Sequence, residues 1–168
     1  ATVVVQGFGN AGYNFAQLVR GQDGSRIIAV SDTQGGIYSQ SGLNPQEVWG
    51  YKQKCGTVAG YPGAEAITNE QLLELECDIL APCALGSVIT GKNADRVNSK
   101  MIIELANGPT IPEADSVLHE KGILVLPDIL ANAGGVTVSC YEWQQNLAGE
   151  KWSAQRVDNS LKEAMLAN

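Results

Sequence analysis

Gly7, Gly9 and Gly12 stand in the spacing G-x-G-x-x-G, and Asp32 follows the last of them by 20 residues. These residue types in this order suit the capture of an anion by backbone rather than by side-chain charge. Gly7 permits a tight turn, Gly9 lets the backbone come close to a pyrophosphate, and Gly12 lets a helix pack tightly on a strand. No Lys or Arg occurs between Gly7 and Val19. The anion must therefore be met by free N–H groups and the positive end of a helix dipole. A carboxylate some 20 residues on is placed to accept hydrogen bonds from a ribose. Together the four residues predict a dinucleotide site, with Phe8, Asn10 and Ala11 completing the loop and Thr33 beside the acid.

The glycines need a strand before them and a helix after them. Val3, Val4 and Val5 form a short apolar, β-branched run, the pattern of a strand buried on both faces. Ala11, Phe15, Leu18 and Val19 then recur at helical spacing and predict one apolar face. A second strand over Ile27–Ser31 carries Asp32 at its end. Gly35–Tyr38 reads as a short strand, and Asn44 with Pro45 as the capped start of a helix bearing Val48, Trp49 and Lys52. Thr68 and Gln71 spell a capping box opening a helix through Leu75, and Thr110 and Glu113 spell another. Strands are expected over Asp78–Pro82, Met101–Leu105 and Ile123–Leu126. Helices are expected from about Gly86 to Val97, from Gly134 to Leu147, and from Ser153, the last packing through Val157, Leu161, Ala164 and Met165. This alternation predicts an α/β fold of Rossmann type, a doubly wound, mostly parallel sheet with helices on both faces. All 168 residues read as a single dinucleotide-binding domain without repeat or linker. In such sheets ligands bind beyond the carboxyl ends of the strands, here Gln6-Gly7, Ser31-Asp32, Pro82-Cys83, Ala106-Asn107 and Pro127-Asp128.

Bulk properties narrow the partners. A net charge of −7 argues against nucleic acid and against an anionic membrane, and no apolar run is long enough to span one. Cys55, Cys77, Cys83 and Cys140 show no C-x-x-C spacing and the chain has one His, so no metal site is expected. Free thiols suit a reducing, cytoplasmic setting. A first strand that begins at residue two, with no Met ahead of it, suggests a piece of a longer protein. Gly86–Asn93 comes close to a phosphate-binding loop with a lysine, but Asn93 stands where a magnesium-holding Ser or Thr is required. His119, between Leu118 and Glu120, reads as a solvated helix edge, and without it no nucleophile–His arrangement can be assembled.

Several long segments carry a resemblance: the opening VVQGFGNAG, Ser31–Tyr38, Ala106–Thr110, and Pro127–Ser139 followed by Tyr141-Glu142-Trp143. In these the chain resembles the carboxyl-terminal, cofactor-binding domain of the glutamate, leucine, phenylalanine and valine dehydrogenases, over essentially its whole length. The resemblance implies NAD(P)-linked oxidative deamination of an amino acid, with glutamate favoured. Ala81–Gly86 is closer to the leucine and phenylalanine enzymes, which keeps a cofactor domain of that kind as the alternative, beside a standalone dinucleotide-binding module. By resemblance, Gly7, Gly9, Asn10 and Ala11 lie at the pyrophosphate and Asp32 at the adenosine ribose. Cys83, Ala84 and Asn107 flank the nicotinamide end, and Asn132, Gly135, Val136 and Ser139 belong to the segment facing substrate, Asn132 also counting as a cofactor contact. The family's catalytic lysine and aspartate belong to an amino-terminal domain, so no catalytic residue is expected in this chain and no turnover by it alone. Full-length homologues are homo-oligomers, whereas this piece is expected to be monomeric. NAD is the expected cofactor over NADP, because Asp32 would oppose a 2′-phosphate and no cation lies between Arg26 and Lys52 in sequence.

Overall fold

The computed structural model describes residues 1–167, which build a seven-stranded sheet with helices on both faces. In chain order the elements are β1 (Thr2–Gln6), α1 (Asn10–Asp23), β2 (Arg26–Asp32), β3 (Gly35–Tyr38), α2 (Pro45–Cys55), β4 (Glu65–Ile67) and α3 (Asn69–Leu73). They continue with β5 (Cys77–Pro82), β6 (Ser99–Ile103), α4 (Pro112–Glu120), β7 (Leu124–Leu126), α5 (Asp128–Ala131), α6 (Ala133–Ala148) and α7 (Ala154–Leu166). The sheet order is β4-β3-β2-β1-β5-β6-β7. β1, β2, β5, β6 and β7 run parallel, and β3 and β4 are antiparallel additions at one edge.

β1 lies at the centre of the sheet, so its side chains are buried alternately on the two faces. Val3 and Val5 pack with Phe8, Ala16 and Val48 under α1 and α2. Val4 packs with Leu72, Ala114 and Leu118 under α3 and α4. At the start of the strand, Thr2 is clamped to the neighbouring β5. Its N–H donates to Asp78 Oδ2 at 2.7 Å, and the Asp78 N–H donates back to Thr2 Oγ1 at 3.0 Å. Lys100 lies 2.6 Å from the same carboxylate. The Lys100 ammonium first, then the Thr2 donors, hold the Asp78 carboxyl well below the usual range.

Three sequence expectations are corrected. The face that α1 turns to the sheet is Gly12 and Ala16, with Phe15 and Val19 half-buried, while Ala11 and Leu18 are exposed. Close packing selects the smallest side chains there, which a reading weighted to large apolar residues passes over. No helix forms over Gly86–Val97. Ser87 adopts a left-handed φ of 56°, and the Asn93 side chain accepts from the Thr90 N–H and donates to the Val88 carbonyl. Local side-chain bonds of this kind compete with helix, and Ile89 bridges to Thr110 instead. The second capping box is absent: Ile111 is the N-cap of α4, Pro112 opens it, and the buried Thr110 Oγ1 has no partner. Strand β4 and the short helix α5 had no sequence signal of their own.

The first capping box forms as expected, with Thr68 accepting from the Gln71 N–H. Helices α6 and α7 pack chiefly on each other, through Gly134 against Leu161 and the Tyr141 hydroxyl donating to the Ser160 carbonyl, and neither contains a fully buried residue.

Candidate dinucleotide cleft

The glycine loop leaves β1 through a turn that only glycine fits. Gly7 has φ +95°, and a Cβ there would lie 2.5 Å from the Ala84 Cβ, because the segment after β5 runs against it. Gly12 brings α1 onto the loop: its Cβ would stand 2.0 Å from the Gly7 carbonyl oxygen. Gly9 is different. Its backbone is extended, with φ −89° and ψ −160°, and a Cβ would project into open space. Gly9 is also the N-cap of α1 and supplies no side-chain cap. The first intrahelical bond is Tyr13 N–H to the Gly9 carbonyl at 2.9 Å. The N–H groups of Asn10, Ala11 and Gly12, in the first turn, therefore have no carbonyl four residues back within the helix. Open space over uncapped amides is what a pyrophosphate requires, so the loop fits a dinucleotide.

A cleft of about 240 Å³ opens beside the loop, lined by Gln6 to Gly9, Asp32 and Thr33, Lys52, Asn69, and Ala84 with Leu85. A larger cleft of about 620 Å³ lies at the other end of β2, between Arg26, Ser39 and Asn44, away from the glycines. The Phe8 ring does not reach the smaller cleft. It is fully buried, edge-on to Tyr13 and Trp49, so Phe8 can contribute backbone only.

Asp32 is held by four donors. Oδ1 accepts from the Gln34 N–H at 3.0 Å and the Thr57 hydroxyl at 2.9 Å. Oδ2 accepts from the Val58 N–H at 2.8 Å and stands 3.2 Å from Lys52 Nζ. Burial alone would push this carboxyl's pKa up. The Gln34 and Val58 amides, the Thr57 hydroxyl and Lys52 outweigh it and keep the pKa below its ordinary value. The sequence reading left Asp32 without a nearby cation, and the fold corrects this by laying α2 across the end of β2. Asn69, at the start of α3, donates to the Asp32 carbonyl at 2.9 Å.

Beyond the carboxyl end of β6, outside the cleft lining, Asn107 and Asn132 are joined by a 2.7 Å bond from Asn132 Nδ2 to Asn107 Oδ1. Asp128 accepts from the Gly108 N–H at 2.8 Å, and its own N–H donates to the buried Glu104 carboxylate at 3.1 Å. Cys83 packs against the core rather than lining the cleft, and its thiol donates to the Ala81 carbonyl. Burial pushes that thiol up to about 12. Val136 and Ser139 lie on an exposed face of α6, with the Ser139 hydroxyl donating to the Gly135 carbonyl at 3.2 Å. Among the described residues no group of His, Cys, Asp or Glu could hold a metal ion, and no helix is long and apolar enough to cross a membrane.

Gln6, Lys52, Asn69 and Leu85 line the cleft without having been singled out for it from sequence. Gln6 alone had a signal, as the last residue of the strand before the first glycine.

The fold is that of a Rossmann-type dehydrogenase domain. A sequence profile of the Glutamate/Leucine/Phenylalanine/Valine dehydrogenase family matches residues 1–168, and the chain belongs to that family. It is 53% identical over 165 residues to the glutamate dehydrogenase of Thermotoga maritima, spanning 98% of this chain and 40% of that protein. It is 49% identical over 174 residues to the NADP-specific glutamate dehydrogenase of Synechocystis, with the same coverage. Among solved structures, the hetero-hexameric glutamate dehydrogenase of Thermus thermophilus, in its Leu-bound form, superposes with a TM-score of 0.89 at 32% identity, covering 99% of this chain and 39% of that one. The chain thus spans about 40% of the length of the curated relatives it matches.

Proposed function

We propose that this chain is the cofactor-binding part of a glutamate dehydrogenase, an enzyme interconverting glutamate with 2-oxoglutarate and ammonia. The observation that carries the reading is the open direction over Gly9, above the uncapped first turn of α1. The 49–53% identity to glutamate dehydrogenases supports the substrate.

A dinucleotide held here would supply the nicotinamide, the hydride acceptor for oxidation at the amino acid Cα. The residues of this chain bind and orient. Amides of Asn10, Ala11 and Gly12 meet the pyrophosphate. Thr33 and the Asp32–Lys52 pair meet the adenosine ribose, and Ala84, which the resemblance puts toward the nicotinamide end, forms with Leu85 the apolar wall of the same cleft. Asn107 and Asn132, already bonded to each other, fix the edge of the nicotinamide end, and Val136 and Ser139 face the substrate. No residue here is assigned the proton transfers that accompany hydride departure. Those belong to the part of the protein outside this chain, so the chain alone binds cofactor and does not turn over.

We infer that the site accepts NAD and NADP alike. The repulsion expected between Asp32 and a 2′-phosphate is offset by Lys52, 3.2 Å from that carboxylate in the wall of the same cleft. The relative from Synechocystis is named for NADP, which supports the inference. Calorimetric titration with each dinucleotide is the test, repeated on Lys52→Met. Both cofactors should bind the wild type, and the variant should lose more affinity for NADP than for NAD. No binding of either dinucleotide would overturn the reading, and glutamate-dependent NADH formation by the chain alone would overturn its assignment as the binding part only.

A further inference from the structure

Gln6 closes β1 at the floor of the cleft, and the residue is buried, with a relative exposure of 6%. Oε1 is sealed from solvent and has no hydrogen-bond partner. The amide nitrogen makes no hydrogen bond among the described residues and is not sealed, so it is the end open to the cleft. Directly across the parallel register stands Ser31, fully buried, whose Oγ is also without a partner. Two buried polar atoms on paired residues, both left without partners, are costly to keep, and native structures keep few of them.

The chemistry of the pair has a direction. A serine hydroxyl both donates and accepts, so the direction is set by the sealed Oε1, which as a carboxamide oxygen only accepts and needs Ser31 as donor. Ser31 can therefore satisfy Gln6 Oε1, directly or through one buried water. That arrangement leaves the two Nε2 hydrogens pointed into the cleft. The surrounding walls are the ribose-side residues Asp32, Lys52 and Asn69 and the apolar pair Ala84 and Leu85. Asn107 and Asn132, at the nicotinamide end, do not line this space.

We propose that Gln6 is a cofactor-contacting residue whose amide N–H donates to an oxygen or ring-nitrogen acceptor on the adenosine half of the dinucleotide, with Ser31 as the positioning residue that orients it. The proposal rests on the dinucleotide reading above. Because the amide is neutral, it serves NAD and NADP equally.

The test is calorimetric titration of the chain with NAD, NADP and ADP-ribose, on wild type, Gln6→Leu, Gln6→Met and Ser31→Ala, with thermal melts of each ligand-free protein. Gln6→Leu and Gln6→Met should weaken all three ligands by the same factor, roughly tenfold for one hydrogen bond. Ser31→Ala should weaken the same three by less. The ligand-free melting temperatures of the Gln6 variants should be unchanged or higher, since an unpaired buried amide is replaced by an apolar group. A lowered melting temperature in both Gln6 variants with affinities unchanged would make the residue structural and overturn the proposal. Loss of NAD affinity with ADP-ribose affinity intact would move the contact to the nicotinamide end and overturn it too. Wild-type binding with unaltered affinities in both variants would overturn the role of Gln6 and leave the dinucleotide reading standing, whereas no wild-type binding would overturn both.

Discussion

Gly9 and Gly12 stand three residues apart in one motif, yet the structure assigns them opposite kinds of necessity, and substituting each separates folding from binding. A Cβ on Gly12 would lie 2.0 Å from the Gly7 carbonyl oxygen and 3.0 Å from Val5 Cγ1. The nearer obstacle is backbone, so α1 must retreat from the loop by about 1 Å in a close-packed interior. Overpacking of this kind costs about 1–3 kcal/mol, and a backbone obstacle belongs in the upper part of that range. The gain in helix propensity from Gly to Ala returns up to about 1 kcal/mol. The net loss for Gly12→Ala is then about 1–2 kcal/mol, a fall in Tm of about 2–8 °C for a chain of this size. Gly9 meets nothing within 4 Å and has a backbone conformation open to any residue. Gly9→Val should therefore cost at most about 1 kcal/mol of stability, through its poorer N-cap. Its methyl groups would occupy the space over the α1 amides, and NAD affinity should fall by at least about 100-fold, or ~2.7 kcal/mol. Thermal melts by far-UV circular dichroism and calorimetric titration measure both quantities. If Gly9→Val binds NAD within about threefold of wild type, the pyrophosphate does not lie over Gly9 and the reasoning fails. If Gly12→Ala melts like wild type, the packing argument fails.

Three further outcomes are expected. Cys83 and Cys77, both with thiols pushed up to about 12 by burial, should resist iodoacetamide in the native chain at pH 8, while the exposed Cys55 and Cys140 react; mass spectrometry of the peptides decides this. Asp32 titrates lower in the folded chain than in the unfolded one, so its contribution is fully present above about pH 4, the unfolded value, and is lost as pH falls through the folded one. The difference in Tm between wild type and Asp32→Asn should accordingly shrink between pH 6 and pH 3, and a constant difference would refute the assignment. Ser87→Gly relieves a left-handed non-glycine residue and should raise stability by about 1 kcal/mol in urea denaturation, a fall instead showing that the side chain is needed where it stands.

The glycine loop and the parallel alternation were legible because both are written in short-range spacing. Val3–Val5, Gly7, Gly9 and Gly12 lie within residues 3–12, so their relation depends on local chain geometry alone. The cleft's other walls are long-range. Lys52 reaches Asp32 only because α2 crosses the end of β2, and Asn69 does so only because α3 starts under the same strand. Nothing in the local pattern of either residue marks it. The segment over Gly86–Val97 misleads for a third reason. Ile89, Ala94 and Val97 are buried as a helix face would be, but Asn93 and Thr90 spend their hydrogen bonds on a turn, and hydrophobic spacing does not register that.

The clamp between Thr2 and Asp78 has a consequence for how the chain is made. β1 is synthesised before β2 and β5 yet ends between them, and the clamp joins residues 76 apart. At about 5–20 residues per second, a ribosome needs roughly 4–15 s to pass from one partner to the other. Through that interval Val3, Val4 and Val5 can pair only with β2, and the face of the strand meant for β5 stays open. Non-local parallel pairing also closes slowly. The most buried strand of the finished sheet is thus the one that waits longest for its neighbour, and a crowd of nascent chains would meet first at that unpaired edge.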